Sequence, residues 1–368
     1  MSRYLILALS CILALSCILA LICIAPHFAT AQEPLELQEQ QAFKDAAARV
    51  APSVVQIQTF GGLDRVGDTL TGTGPTTGVI LSDDGSIITS AFSFAAKPAA
   101  VVVKLADGRQ FDAKIVATDF SRMLTLLTID AEGLPVAEPA PLDEVKVGHW
   151  TLAVGKVFDV ATPNVSPGIL SAKNRIWGKA LQTDAKTSPF NYGGPLVDVH
   201  GRVLGVIVPL SMTSDEVMAG AEWYDSGIGF AVPFDQVRVS AERLAAGDDL
   251  YRGTLGVVTT KPGELFAQPV VDQVRDDSPA AEAGLKKGDV IVAVDGRPVS
   301  RLAQVLQALG PKYAEEKVDV TIKRGDEEQT FPLTLEKPTK TSIAPEQQPA
   351  QQPGKDEGEE QGDGPAEK

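Results

Sequence analysis

A succession of short apolar segments, separated by glycine-containing turns, occupies the chain from residue 53 to about residue 240. Apolar and polar residues alternate within these segments, which is the period of a strand with one buried face. The clearest segments are residues 54–57, 78–81, 101–105, 124–129 and 150–154. Turn pairs such as Asp84-Gly85 and His200-Gly201 separate them. Many short strands at this spacing predict an all-β barrel or sandwich.

Residues 253–336 follow a different pattern, which mixes strands and helices. A strand is predicted over residues 254–258, and a short helix begins after Ser278 and ends at Gly284. A second helix has an apolar face formed by Leu302, Val305, Leu306 and Leu309. A strand hairpin follows it. The segment is therefore predicted to be an α+β domain of its own.

The first 31 residues have the organisation of an export signal. Arg3 precedes an apolar run at residues 5–25, and the small-residue pattern Ala29-Thr30-Ala31 predicts a signal peptide (residues 1–31) cleaved after Ala31. A run of this length can also span a bilayer, so a retained membrane anchor stays open. The sequence Ala-Leu-Ser-Cys, which occurs twice in the run, leaves a lipoprotein as a third interpretation. We expect an exported protein, periplasmic or otherwise extracytoplasmic.

Composition excludes several classes of function. A net charge of −15 argues against nucleic acid as a partner. The three cysteines lie within residues 11–23, so a chain without its leader has no disulfide, catalytic thiol or cysteine zinc site. With only three histidines as well, we predict no metal site and no cofactor. Residues 338–368 are rich in Pro, Gln and Glu, which predicts a disordered acidic tail.

Residues 187–195, Thr-Ser-Pro-Phe-Asn-Tyr-Gly-Gly-Pro, have the frame of a serine-protease nucleophile loop, with Tyr192 at the position of the serine. Gly193 and Gly194 form a tight turn that leads into a predicted strand at residues 196–199. Such a turn is a common place to expose a reactive side chain, and it is equally common as a plain turn. The tyrosine raises the question whether the chain is an enzyme.

Further motifs occur in a fixed order along the chain. They read Thr-Thr-Gly-Val-Ile-Leu at 76–81, Gly-His-Trp-Thr-Leu-Ala-Val-Gly at 148–155, Gln-Thr-Asp-Ala at 182–185, Gly-Ile-Gly-Phe-Ala-Val-Pro at 227–233 and Ala-Gly-Leu-Lys-Lys-Gly-Asp-Val-Ile at 283–291. In this order they resemble the HtrA/Deg family. The resemblance implies a mainly β fold, with a trypsin-like double β-barrel at residues 38–246 and one α+β PDZ domain at residues 253–336.

The same resemblance places the family's catalytic His, Asp and Ser on Phe92, Met123 and Tyr192. The former oxyanion loop comprises Phe190, Asn191 and Gly193. Phenylalanine and methionine can neither accept the nucleophile's proton nor orient a base, and an unperturbed tyrosine is almost wholly protonated at neutral pH. We therefore predict no catalytic residues, and we expect Phe92, Met123, Tyr192 and Phe190 to converge as an apolar plug. His149 and His200 are interpreted as surface turn residues, and Asp184 as a structural hydrogen-bonding residue.

PDZ domains bind the C-terminus of a peptide by strand addition, with backbone N–H groups holding the carboxylate. The resemblance assigns this loop and the adjoining apolar pocket to Leu255, Gly256, Val257, Val305, Leu306 and Leu309. Thr254 stands where the family usually has an aromatic residue. The predicted partners are C-terminal or unfolded protein segments that end in an apolar residue. The resemblance also implies a homotrimer, or a hetero-oligomer with an active relative.

The combined prediction is an exported HtrA-like pseudoprotease that binds peptides as an adaptor or regulator in envelope protein quality control. Two alternatives stay open. The first is an active HtrA-like serine endopeptidase, which would need a serine and a base that the motif positions do not supply. The second is a structural envelope protein whose PDZ groove is closed.

Overall fold

The structure is a computed structural model that describes residues 34–61, 65–66, 69–70, 75–95, 97–141, 143–211, 226–260 and 264–338. The predicted signal peptide, the three cysteines and residues 339–368 of the predicted tail lie outside these ranges. Among the described residues, no helix has both the length and the apolar character required to cross a membrane.

The chain divides into two compact units, Met1–Lys44 and Asp45–Lys368. The described part of the first unit is the beginning of helix α1 (Leu35–Val50). In the second unit, the end of α1 buries Ala46, Ala47 and Val50. A 3₁₀ turn, Ala51–Ser53, with Pro52 near its start, then separates the helix from the first strand.

The first barrel closes through six antiparallel strands in the order β1-β4-β5-β8-β7-β6. These strands are β1 (Val54–Phe60), β4 (Thr76–Ile80), β5 (Ser86–Ser90), β6 (Ala100–Lys104), β7 (Gln110–Asp119) and β8 (Leu124–Ile129). β2 (Arg65–Val66) and β3 (Thr69–Leu70) form a separate ladder. β-Branched and leucine side chains such as Ile57, Ile80 and Leu127 fill the barrel interior.

The second barrel repeats this architecture in the order β10-β11-β14-β13-β12-β9. Its strands are β9 (Trp150–Gly155), β10 (Asn164–Asn174), β11 (Ala180–Thr183), β12 (Pro195–Val197), β13 (Val203–Ile207) and β14 (Gly229–Pro233). Helix α2 (Phe234–Leu244) follows β14 and packs against strands of both barrels. Its buried residues, Phe234, Val237, Ser240 and Leu244, recur at helical spacing.

The C-terminal domain combines two small sheets with two helices. A two-stranded sheet contains β15 (Val257–Thr259) and β16 (Val271–Val274), and a four-stranded sheet has the order β18-β17-β19-β20. The strands of the latter are β17 (Val290–Val294), β18 (Arg297–Pro298), β19 (Lys317–Arg324) and β20 (Glu327–Thr334). The helices are α3 (Pro279–Ala283) and α4 (Leu302–Leu309). The predicted fold class, a double β-barrel followed by an α+β PDZ domain, is confirmed.

Local start and stop signals explain where the helices of this domain lie. The Ser278 hydroxyl accepts a hydrogen bond from the Ala281 amide (3.3 Å), which caps the first turn of α3. Gly284 ends α3 in a left-handed conformation. The strand predicted at residues 254–258 begins three residues later, at Val257, because Thr254 pairs with Glu336 and Gly256 has a positive φ of 78°.

Candidate functional site

Two aromatic rings meet at the turn that carries Tyr192. Tyr192 lies just before β12, and Phe92 lies in a 3₁₀ turn, Ala91–Phe94, that follows β5. Their ring centroids are 5.4 Å apart and the planes make an angle of 71°, an edge-to-face contact. Both side chains are buried and belong to the core of the second barrel. The prediction that these two residues converge is confirmed.

Met123 approaches this region from the loop before β8. Its side chain is buried, and its carbonyl accepts a hydrogen bond from the amide of Ala91 (2.8 Å), the residue next to Phe92. The backbone of Met123 is left-handed, with φ of 58°. The backbone of Met123 therefore adjoins the turn that carries Phe92, but the buried cluster that contains Phe92 and Tyr192 does not include Met123.

Phe190 does not join them. Its side chain is 53% exposed and packs at 5.0 Å against Phe158, which is 73% exposed. The expectation that Phe190 completes a buried plug is wrong, because the backbone turns back on itself here. The amides of Asn191 and Tyr192 both donate to the carbonyl of Ser188 (3.0 and 3.2 Å), and the compact turn directs Phe190 outward. The sequence gives no separate signal for the contact with Phe158.

The backbone amides of the former oxyanion loop donate hydrogen bonds to other groups of the protein. The Tyr192 amide is engaged by Ser188, as above, and the Gly193 amide donates to the carbonyl of Ile207 (2.8 Å). An oxyanion hole needs amide donors aimed at the substrate oxygen. Gly193 has φ of 81°, and a Cβ there would lie 2.2 Å from the carbonyl oxygen of Thr77. Only glycine fits at this position, so the turn is tightly packed against the first barrel.

Asparagine and aspartate side chains hold the surrounding loops. The Asn191 carboxamide accepts from the Ser188 amide (3.0 Å) and donates to the carbonyl of Lys186 (3.0 Å). Asp184 accepts from the amide of Ile169 in β10 (2.5 Å), which confirms the structural role predicted for it. These bonds fix the loop's conformation without supplying a proton acceptor for a nucleophile.

The described histidines lie on turns. His149 precedes β9, and its Nδ1 accepts from the Lys146 amide (3.4 Å). His200 lies in the hairpin between β12 and β13, and its amide donates to Asp198 (2.9 Å). No group of three or more His, Cys, Asp or Glu side chains able to hold a metal ion occurs in the part of the chain that the structure describes.

The predicted peptide groove is assigned to residues of α4, of β15 and of the loop before β15. Leu255 and Val305 are buried in the core of the domain, whereas Val257, Leu306 and Leu309 are half-buried. At one end, the Gly253 amide donates to the carbonyl of Lys312, which follows α4 (3.1 Å). At the other end, residues 264–267 cover the start of α4, since the carbonyls of Leu265 and Ala267 accept from its first amides (both 2.9 Å).

β15 is hydrogen-bonded to β16 on one side only. Among the described residues, no strand pairs with its other edge. An unpaired strand edge can accept an added strand, since its N–H and C=O groups lack ladder partners. The assignment of Leu255, Gly256, Val257, Val305, Leu306 and Leu309 to peptide binding stays a prediction.

Comparison with known proteins agrees with this architecture. Residues 76–206 match the trypsin-like peptidase domain family, and residues 253–335 match the PDZ domain family. A probable periplasmic serine endoprotease, DegP-like, of Marinomonas sp. (strain MWYL1) is 32% identical over 287 residues, which cover 74% of this chain and 59% of the relative. The chain belongs to the HtrA family.

Other HtrA-family proteins match to a similar degree. The DegP-like protein of Pseudomonas fulva (strain 12-X) is 30% identical over 307 residues, 80% of this chain and 61% of its own. The chain thus spans about three fifths of the length of these curated relatives.

Solved structures of the family superimpose on both domains. The serine endoprotease from Yersinia pestis has a TM-score of 0.62 and 27% identity, and covers 81% of this chain and 98% of its own. The HtrA-type protease AlgW, solved with a decapeptide, has a TM-score of 0.62 and 26% identity, with 80% and 98% covered.

Proposed function

We propose that this HtrA-family protein is a non-catalytic, exported binding protein that captures the C-termini of other polypeptides in the predicted peptide groove. The observation that carries the proposal is the edge of β15 that no described strand pairs with, in a domain whose helix α4 keeps Leu306 and Leu309 half-buried. A ligand strand could add to this edge while its last side chain enters the apolar surface of Val257, Leu306 and Leu309.

The lack of catalysis is supported by the contents of the former site. Phe92 and Met123 have no titratable group, and Tyr192 is buried against Phe92. The Tyr192 and Gly193 amides are bonded within the protein. With Phe92 and Met123 at the positions that the resemblance assigns to the base and its orienting acid, and with both loop amides bonded within the protein, acyl transfer lacks two of its usual sources of rate enhancement.

The relatives support the proposed export and the proposed peptide partners. The DegP-like relatives are named periplasmic proteins, which supports an extracytoplasmic location for this chain. The AlgW structure holds a decapeptide, which supports a peptide ligand for this chain as well. The proposed role is an adaptor or regulator in envelope protein quality control, alone, as a homotrimer or with an active relative.

The test is fluorescence polarisation with labelled peptides of random sequence and a free C-terminus. We expect saturable binding, with preference for an apolar last residue, and loss of binding when the C-terminus is amidated, because the carboxylate is the anchor. Leu306→Glu should abolish binding. Gln307→Glu, on the exposed face of the same helix, is the matched control and should bind as the wild type does. Failure of every peptide to saturate would favour a closed groove and refute the proposal.

A further inference from the structure

A buried carboxylate of the barrel domain accepts one of its hydrogen bonds from a residue of the PDZ domain. Asp119, at the end of β7, is fully buried. One of its oxygens accepts from the amides of Ser121 and Arg122 (2.8 and 3.0 Å). The other accepts from the Ser240 hydroxyl (3.0 Å) and from the hydroxyl of Tyr313. Tyr313 follows α4, so it belongs to the PDZ domain, whereas Ser240 lies on α2.

Two arginines of the barrel domain make cation–π contacts with the ring of Tyr313. The Cζ atoms of Arg122 and Arg243 lie 4.5 and 4.3 Å from the ring centroid, which is cation–π geometry. Arg243 also pairs with Glu316 of the PDZ domain (2.6 Å), and Arg122 donates to the carbonyl of Pro311 (3.0 Å). Tyr313 itself is only 3% exposed. Burial, with the negative charge of Asp119, raises the pKa of the Tyr313 phenol, so the hydroxyl remains a donor.

Helix α4 makes a second contact between the barrel domain and the PDZ domain. The surface formed by this contact and by the Tyr313 contact is called the seam. The end of α4 packs on a short turn of the barrel domain, Arg175–Gly178, in which Ile176 and Trp177 have left-handed φ values of 50° and 57°. A Cβ at Gly310 would lie 2.1 Å from the Trp177 carbonyl oxygen. The two domains therefore approach as closely here as segments of one core do.

We propose that Tyr313 holds the PDZ domain in one fixed orientation on the barrel domain. A buried carboxylate that loses a donor is destabilised. The strands of each sheet, in contrast, pair within their own domain. Removal of the Tyr313 side chain should therefore free the orientation of the PDZ domain while each domain stays folded.

The test measures the distance between the domains in the full chain. The three cysteines are replaced by serine, and spin labels are attached at Lys114→Cys on β7 and Glu327→Cys on β20, both exposed positions. Double electron–electron resonance should give one narrow distance distribution for the starting protein. Tyr313→Ala should broaden it about twofold or more, as expected when one orientation becomes an ensemble. Tyr313→Phe, which removes only the hydroxyl, should broaden it to a smaller extent.

Tyr192→Phe, a buried tyrosine outside the seam, is the control and should leave the distribution narrow. Circular dichroism checks whether each variant is folded. If Tyr313→Ala does not fold, Tyr313→Phe, which removes the hydroxyl that donates to Asp119, carries the test. A broad distribution in the starting protein, or a narrow one in the folded variants of Tyr313, would overturn the proposal.

Discussion

Tyr192 and Phe92 form a structural contact in the region where a hydrolase would hold its nucleophile and base. An edge-to-face aromatic pair inside a β-barrel core contributes packing energy and excludes water. Nucleophilic catalysis needs the opposite arrangement, a polar group with access to substrate and to a proton acceptor. The contact between Tyr192 and Phe92 is therefore better explained as a contribution to the stability of the barrel than as part of a catalytic site.

Removing the ring of Phe92 should therefore destabilise the protein. We expect Phe92→Ala to lower the free energy of unfolding by about 3–5 kcal/mol, because it leaves a cavity and deletes the contact with Tyr192. Phe190→Ala removes a ring of the same size that is 53% exposed, and it should cost under about 1 kcal/mol. Urea unfolding of both variants checks the prediction, and equal costs would show that the Phe92 ring is not part of the core.

Among the elements, the loop after β9 is tied to the beginning of β1 by one buried lysine. The Lys156 ammonium donates to the carbonyls of Ala51 and Val54 (2.8 and 2.9 Å). Burial lowers the pKa of Lys156 to about 8. Lys179, on the seam, has its pKa lowered to about 8 as well, by burial and then by the nearby charge of Arg122. Burial of the charged form of each lysine therefore costs free energy in the folded state.

This cost makes stability depend on pH in the alkaline range. Between pH 8 and 10.5 the unfolded chain keeps both lysines protonated while the folded chain releases these protons, so the free energy of unfolding rises with pH. We expect the urea midpoint to increase from pH 7.5 to 9.5. Lys156→Met should reduce that increase, and Lys186→Met, an exposed lysine, should not. A midpoint that falls over this window, or an unchanged increase in Lys156→Met, would contradict the assignment.

Particular elements show what local sequence can and cannot predict. The strand segments at 54–57, 124–129 and 150–154 were predictable because alternation and turn residues are local signals, and β1, β8 and β9 occupy them. The exposed position of Phe190 was not, because it depends on hydrogen bonds to Ser188 and on a contact with Phe158 in another loop. The role of Tyr313 was invisible for the same reason, since its partners are distant in sequence and lie in the other domain.

At the scale of the whole molecule, membership of the HtrA family does not decide whether the chain cleaves polypeptides. Matches to the trypsin-like peptidase and PDZ families describe the fold, and folds host many functions. The relatives carry the name of a protease, whereas the positions that the resemblance assigns to the catalytic triad hold Phe92, Met123 and Tyr192 in this chain. The domain boundaries at 38–246 and 253–336, the leader and the oligomeric state stay predictions.

The central claim is that this HtrA-family chain binds polypeptides without cleaving them. The most direct test is hydrolysis of casein by the purified protein at high concentration, with a serine-reactive fluorophosphonate probe in parallel. We predict neither cleavage above buffer nor labelling of the chain, because Phe92 and Met123 can neither act as a base nor orient one, and the amides of Tyr192 and Gly193 are bonded within the protein. Cleavage that co-purifies with labelling of this chain would mean that another serine is the nucleophile, and it would contradict the account.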